Sequence, residues 1–162
     1  MKPERIDELI AEITHELDAI ESIRTSVEST FETMPTDDQQ SVYHESLALK
    51  LHNFYTGCER LFALIAVDVN GGVPRSPDWH RRLLKSMSLE IPGIRPAVIS
   101  KHTERNLQEY LSFRHLVRNI YGFELNFDRM KRLIEELPEV VKVIDQEINT
   151  FLGFLRSLTR LD

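Results

Sequence analysis

Five polar side chains crowd into a short stretch of this chain: Arg114, His115, Arg118, Asn119 and Tyr121, in the segment FRHLVRNIYGFEL from Phe113 to Leu125. These residue types handle phosphates and protons. A planar guanidinium matches phosphate oxygens two at a time. An imidazole titrates near neutral pH and moves protons, whereas an amide hydrogen-bonds but takes up no proton. On a helical wheel with Arg114 at zero, Arg118 falls at about 40°, His115 at about 100° and Asn119 at about 140°. Phe113, Leu116, Val117, Ile120 and Phe123 fill the opposite half, at roughly 180–300°. Tyr121 stands at the edge of the polar half, and Gly122 suits a helix C-cap. No carboxylate joins this face before Glu124. Like charges four residues apart repel by roughly 0.2–0.5 kcal/mol. The face is therefore either solvated, or met by a carboxylate from another helix or by a phosphate.

Other residues could add to such a site. His52, Tyr55 and Glu59 recur at steps of three and four. They line the same cleft or form a rim of the helix interface. Trp79, His80, Arg81 and Arg82 open a short amphipathic segment; the tryptophan reads as an anchor and the arginines as an extension of a basic surface. His15, His44 and His102 are scattered and read as surface residues. The sequence has no Gly-rich phosphate loop, no H-E-x-x-H and no zinc-ligand spacing, so no metal or cofactor is expected.

The elements that must position these residues are helices. Ile6, Leu9, Ile10, Ile13, Leu17, Ile20, Ile23, Val27 and Phe31 form one stripe at helical period and predict a helix over 4–32. Leu47, Leu51, Phe54, Cys58, Leu61 and Ile65 predict a second over 38–68, capped by Thr36, Asp37 or Asp38. VNGGVPRSP breaks the chain, and Ser76-Pro77 reads as the start of a short helix, DWHRRLLKSM. IPGIRPAVIS is an extended connector. A third long helix begins between Ser100 and Thr103 and runs to about Tyr121. Asn126 or Asp128 caps RMKRLIEEL, and Pro138 either kinks that helix or starts a new one. The last stripe is Val141, Ile144, Ile148, Phe151, Leu155 and Leu158. With no strand-like alternation, the fold expected is all-α: an up-and-down four-helix bundle with one or two short extra helices, in a single domain over 1–162.

The 162 residues carry a net charge of -6, which argues against indiscriminate nucleic-acid binding. Yet residues 71–132 hold 12 of the 20 Lys/Arg and only 6 of the 26 Asp/Glu. This basic middle is a phosphate-attracting surface or is paired internally. The longest purely apolar run, Leu61–Val67, is far below the roughly 20 residues that span a bilayer. The start, MKPERIDELIAEI, does not read as a secretory signal. One cysteine, Cys58, leaves no internal disulfide framework and fits a reducing, cytoplasmic setting.

The segments LHNFYTGCERLF, PDWHRRLL, IRPAVIS, EYLSFRHLVRNIYGFEL and FLGFLRSL together resemble the HepT-like branch of the HEPN proteins. Those are toxins whose partner is a minimal nucleotidyltransferase antitoxin. The family carries R-x-x-x-x-H-x-Y near the end of a bundle helix, and the same frame here reads Arg114, Asn119, Tyr121. The resemblance implies a homodimer whose polar helix faces meet across a cleft. It implies a metal-independent endoribonuclease acting on RNA, with tRNA a candidate. It also implies that AMP attached by the partner silences the site. Carried over, Arg114 binds the RNA phosphate with Arg118 beside it, and Tyr121 accepts AMP. His115 and Asn119 complete the catalytic face. Asn119 departs from the family's histidine, and loss of general acid–base help costs roughly 10²–10⁴-fold in rate. Three readings stay open: a ribonuclease that is weak or that uses His115, a non-catalytic module that recruits a nucleotidyltransferase or nucleic acid, and a plain helical scaffold.

Overall fold

The computed structural model describes residues 2–119 and 126–159, and for 118 and 119 the backbone alone. The described residues form five helices: α1 (Pro3–Glu32), α2 (Gln40–Val69), α3 (Trp79–Met87), α4 (Lys101–Asn119) and α5 (Phe127–Leu158). The stripes seen in the sequence are the buried faces. Ile6, Leu9, Ile13, Leu17, Ile20 and Val27 of α1 pack with Leu47, Leu51, Phe54, Cys58, Leu61 and Ile65 of α2. Gly57 permits this close pairing, since a Cβ there would lie 3.2 Å from Ile20 Cγ1. The pair is antiparallel. Arg5, at the start of α1, donates to Asp68, at the end of α2, at 2.8 and 2.7 Å, and Arg60 reaches Glu16.

The other two long helices complete an all-α bundle. α1 packs on α2 and α5, and α4 packs on α2 and α5. α4 and α5 are also antiparallel: Glu147 accepts from the Ser100 backbone N–H at 3.1 Å, and the Tyr110 hydroxyl donates to the Leu133 carbonyl at 2.7 Å. Ser100 caps α4 by accepting from Thr103 N–H, and Asn126 caps α5 by accepting from Arg129 N–H. Asp37 instead accepts from Gln39 N–H within the turn before α2, which has no side-chain cap. α3 opens at Trp79, two residues beyond Pro77, likewise without one.

Pro138 neither ends α5 nor starts a new helix; α5 runs through it. An interior proline costs about 3 kcal/mol. Leu133, Ile134, Leu137, Val140, Val141 and Ile144 are buried on both sides of it, and at about 1.5–3 kcal/mol per fully buried side chain they outweigh that cost.

The short helix α3 lies against α2 and α4. Arg95 clasps it there. This guanidinium, 3% exposed, donates to Asn70 Oδ1 and to the carbonyls of Ser86, Leu89 and Pro96 at 2.7–3.0 Å. All its partners are neutral, and burial lowers its pKa. A tight turn at Gly93, with φ of 75°, brings Ile91 and Arg95 together. The connector and the start of the loop after α2 are thus fastened to the far end of α3.

Candidate functional site

α4 buries Thr103, Leu107, Tyr110, Leu111 and Arg114 along one line. Arg114 occupies the next position of a helical stripe set by Leu107, Tyr110 and Leu111, at steps of three and four. The guanidinium is consequently inside: Arg114 is 2% exposed. The wheel had placed it on a polar half opposite Leu116, yet Leu116 is 37% exposed and His115 is exposed. The wheel sorts residues by type, whereas Arg114 lies on the face that α4 turns toward Glu59 of α2 and His80 of α3.

Inside the bundle Arg114 meets a carboxylate. Its Nη1 donates to Glu59 Oε1 at 3.0 Å and its Nη2 to Glu59 Oε2 at 2.9 Å, a two-pronged pair between α4 and α2. Glu59 is itself 8% exposed. Below the pair, the Tyr55 ring lies 5.0 Å from the guanidinium carbon. Thr56 Oγ1 is 3.4 Å from Nη1, while Nε is buried without a partner. Burial, reinforced by the Glu59 charge, pushes the Tyr55 hydroxyl far up, so it stays protonated. Burial likewise raises the Cys58 thiol beside it.

A third member comes from α3. His80 Nδ1 lies 2.5 Å from Glu59 Oε2 and 2.9 Å from Arg114 Nη2. Glu59 can only accept and Arg114 can only donate, so Nδ1 serves one of them at a time: protonated it donates to Glu59, deprotonated it accepts from Arg114. With the proton on Nδ1, the lone pair of the neutral ring falls on Nε2. Trp79 stacks on the ring with centroids 3.7 Å apart. On the other side the His115 ring stands edge-on at 5.9 Å. Of the three hydrogen-bonded side chains, His80 reaches solvent most, at 18% against 10% for Glu59 and 3% for Arg114.

The structure thus gathers Arg114, Glu59, Tyr55 and His115, which the sequence singled out as site candidates, around His80, which it did not. His52 lies one turn from Thr56, whose hydroxyl donates to the His52 carbonyl, and its ring contacts Asn53. Tyr121 and the side chains of Arg118 and Asn119 lie outside the described residues. Glu59 and His80 are 21 residues apart and on different helices, so no local spacing joins them. The one sequence signal for His80 was its place beside a lone tryptophan in WHRR. Arg81 and Arg82, which follow it, are exposed. Other basic residues of the middle segment are paired: Lys101 with Glu104, Arg129 and Arg132 with Glu109.

Among the described residues, no group of three or more His, Cys, Asp or Glu stands close enough to hold a metal ion. No described helix is long and apolar enough to cross a membrane. The described residues form an all-helical bundle with an arginine-centred polar cluster on its fourth helix. Residues 46–155 match the family described as HepT-like protein, and the chain belongs to that family. No curated protein and no solved structure matches it.

Proposed function

We propose that this protein is a HEPN-type toxin: a metal-independent endoribonuclease that acts as a homodimer in the cytoplasm and is silenced when a minimal nucleotidyltransferase antitoxin attaches AMP to Tyr121. The observation that carries the reading is membership of the HepT-like family across residues 46–155, a span that includes most of α2, all of α3 and α4, and the Arg114–Tyr121 frame. Exposed Arg81 and Arg82 at the start of α3 supply a basic rim for an RNA backbone. Arg118, His115 and Asn119 supply the phosphate contacts and hydrogen-bonding groups, with Arg114 held behind them. Arg114 already has both Nη atoms on Glu59, so a phosphate reaches it only by exchanging with that carboxylate.

This last feature, with Asn119 in place of an imidazole, favours one second reading: a module that binds RNA or a nucleotidyltransferase without cutting. Incubation of the purified protein with tRNA separates the two. Cleavage supports the first reading, whereas binding without cleavage supports the second. Intact mass after mixing with a small nucleotidyltransferase and ATP tests the acceptor. An AMP adduct absent from Tyr121→Phe supports the assignment, and an adduct that persists there removes it.

A further inference from the structure

Asn119 leaves the site without the imidazole that its family frame calls for, and the structure supplies another from a different helix. We propose that His80, oriented by Glu59, is the proton acceptor of this site and works with His115 as its acid partner. The inference rests on the ribonuclease reading above and names the residues that give that site its acid–base chemistry.

Three observations converge on His80. First, Nδ1 lies nearer to the Glu59 carboxylate, at 2.5 Å, than to the Arg114 donor, at 2.9 Å, and the tautomer that donates to Glu59 keeps its lone pair on Nε2. A carboxylate holding an imidazole in this way fixes both the ring's orientation and its reactive tautomer, and it stabilises the imidazolium that forms after proton transfer. Second, Glu59 cannot swing away, because Arg114 grips both of its oxygens. Glu59 and Arg114 are thus positioning residues, and their burial keeps the geometry rigid. Third, His80 is the member of the cluster nearest to solvent, and it stands 5.9 Å from an exposed histidine. Arg95 secures the other end of α3, so the helix that carries His80 does not depend on the cluster alone for its position.

The reaction balances with these two groups. Neutral His80 takes the proton of the RNA 2′-hydroxyl as that oxygen forms a bond to phosphorus. The bond from phosphorus to the 5′-oxygen breaks, and the leaving oxygen takes a proton from the His115 imidazolium. The products are a 2′,3′-cyclic phosphate and a 5′-hydroxyl. His80 ends protonated and His115 neutral, and exchange with water restores both. Among the described residues, the charged and titratable groups against His80 are Glu59 from α2 and Arg114 and His115 from α4; Arg81 and Arg82, next along its own helix, are exposed. A pair of histidines in opposite protonation states gives a bell-shaped rate against pH.

The test measures cleavage of a tRNA pool by the full chain and by His80→Ala, with and without added imidazole, across pH 5 to 9. Folding of the variant is checked by circular dichroism, and its RNA affinity by filter binding. The expected result is a loss of about 10²-fold or more in rate, RNA binding within a few-fold of the parent, and partial recovery on adding imidazole. Loss of one limb of the pH profile is expected as well. A variant that cuts as fast as the parent overturns the proposal and leaves the ribonuclease reading standing. Lost cleavage that imidazole does not restore also overturns it, since His80 is then only structural. A parent chain that does not cut RNA overturns the ribonuclease reading itself, and the catalytic role of His80 with it.

Discussion

Replacing Glu59 by leucine tests the central cluster through stability. The substitution removes the carboxylate that, among the described residues, bonds Arg114, and leaves the guanidinium, 2% exposed, with the neutral partners His80 Nδ1 at 2.9 Å and a Thr56 hydroxyl at 3.4 Å, and the face of Tyr55. Breaking a buried pair from one side strands a buried charge, at about 3–5 kcal/mol. A chain of this size carries roughly 5–15 kcal/mol in all, so the loss is a large fraction. It corresponds to a fall in Tm of roughly 6–20 °C, at about 2–4 °C per kcal/mol. Arg114→Met should cost less, because Glu59 then keeps His80 as a partner at 2.5 Å. The double variant should recover part of the loss, since no unpaired cation remains. Urea unfolding at fixed protein concentration, followed by circular dichroism, measures all three. Trp79 emission reports on the cluster in the same samples, because Trp79 stacks on His80. A cost below about 1 kcal/mol for Glu59→Leu, the range of solvated ion pairs, would refute the reasoning. Arg114 would then be hydrated and open to a phosphate without exchange.

Further outcomes follow from the same structure. Cys58 is fully buried and its thiol is pushed up by burial, so an aromatic disulfide reagent should label it only as fast as the protein unfolds; rapid labelling of native protein would contradict its placement. Burial pushes the Glu104 carboxyl up, but hydrogen bonds from Ser88 and Lys101 outweigh this and hold it below its ordinary value. Its contribution to stability is therefore present above the unfolded-state value, about 4.3, and is lost as pH falls through the lower folded value; in Glu104→Gln the acid-side slope of stability should flatten. Pro138→Ala restores an N–H inside α5 and should raise stability by about 1–3 kcal/mol in urea melts; a loss would show that the ring itself packs favourably.

How much of this was legible in the sequence differs by element. The stripes of α1 and α2 gave those helices almost residue for residue, because a face buried along its whole length repeats at helical period. Asn126 and Ser100 marked true helix starts for the same local reason: a side-chain oxygen three residues before an orphan N–H. Pro138 was ambiguous, since local chemistry forbids what the tertiary packing of α5 enforces. The site was half legible. Spacing brought out Arg114 and Glu59 separately, but their partnership spans 55 residues and depends on how α2 faces α4. A wheel separates polar from apolar residues and cannot say which polar ones a neighbouring helix covers. Arg114 looked outward for that reason, although its step of three from Leu111 and four from Tyr110 already placed it in the buried line. The one local signal at His80, its place beside Trp79, says nothing of its contact with Glu59, because that contact forms only once α3 docks.

The most direct test of the account is digestion of tRNA by the purified chain in the presence of EDTA, with the fragment ends mapped. The account predicts cleavage that persists in EDTA and leaves 2′,3′-cyclic phosphate and 5′-hydroxyl ends. Intact RNA after prolonged incubation, or cleavage that EDTA abolishes, would contradict it.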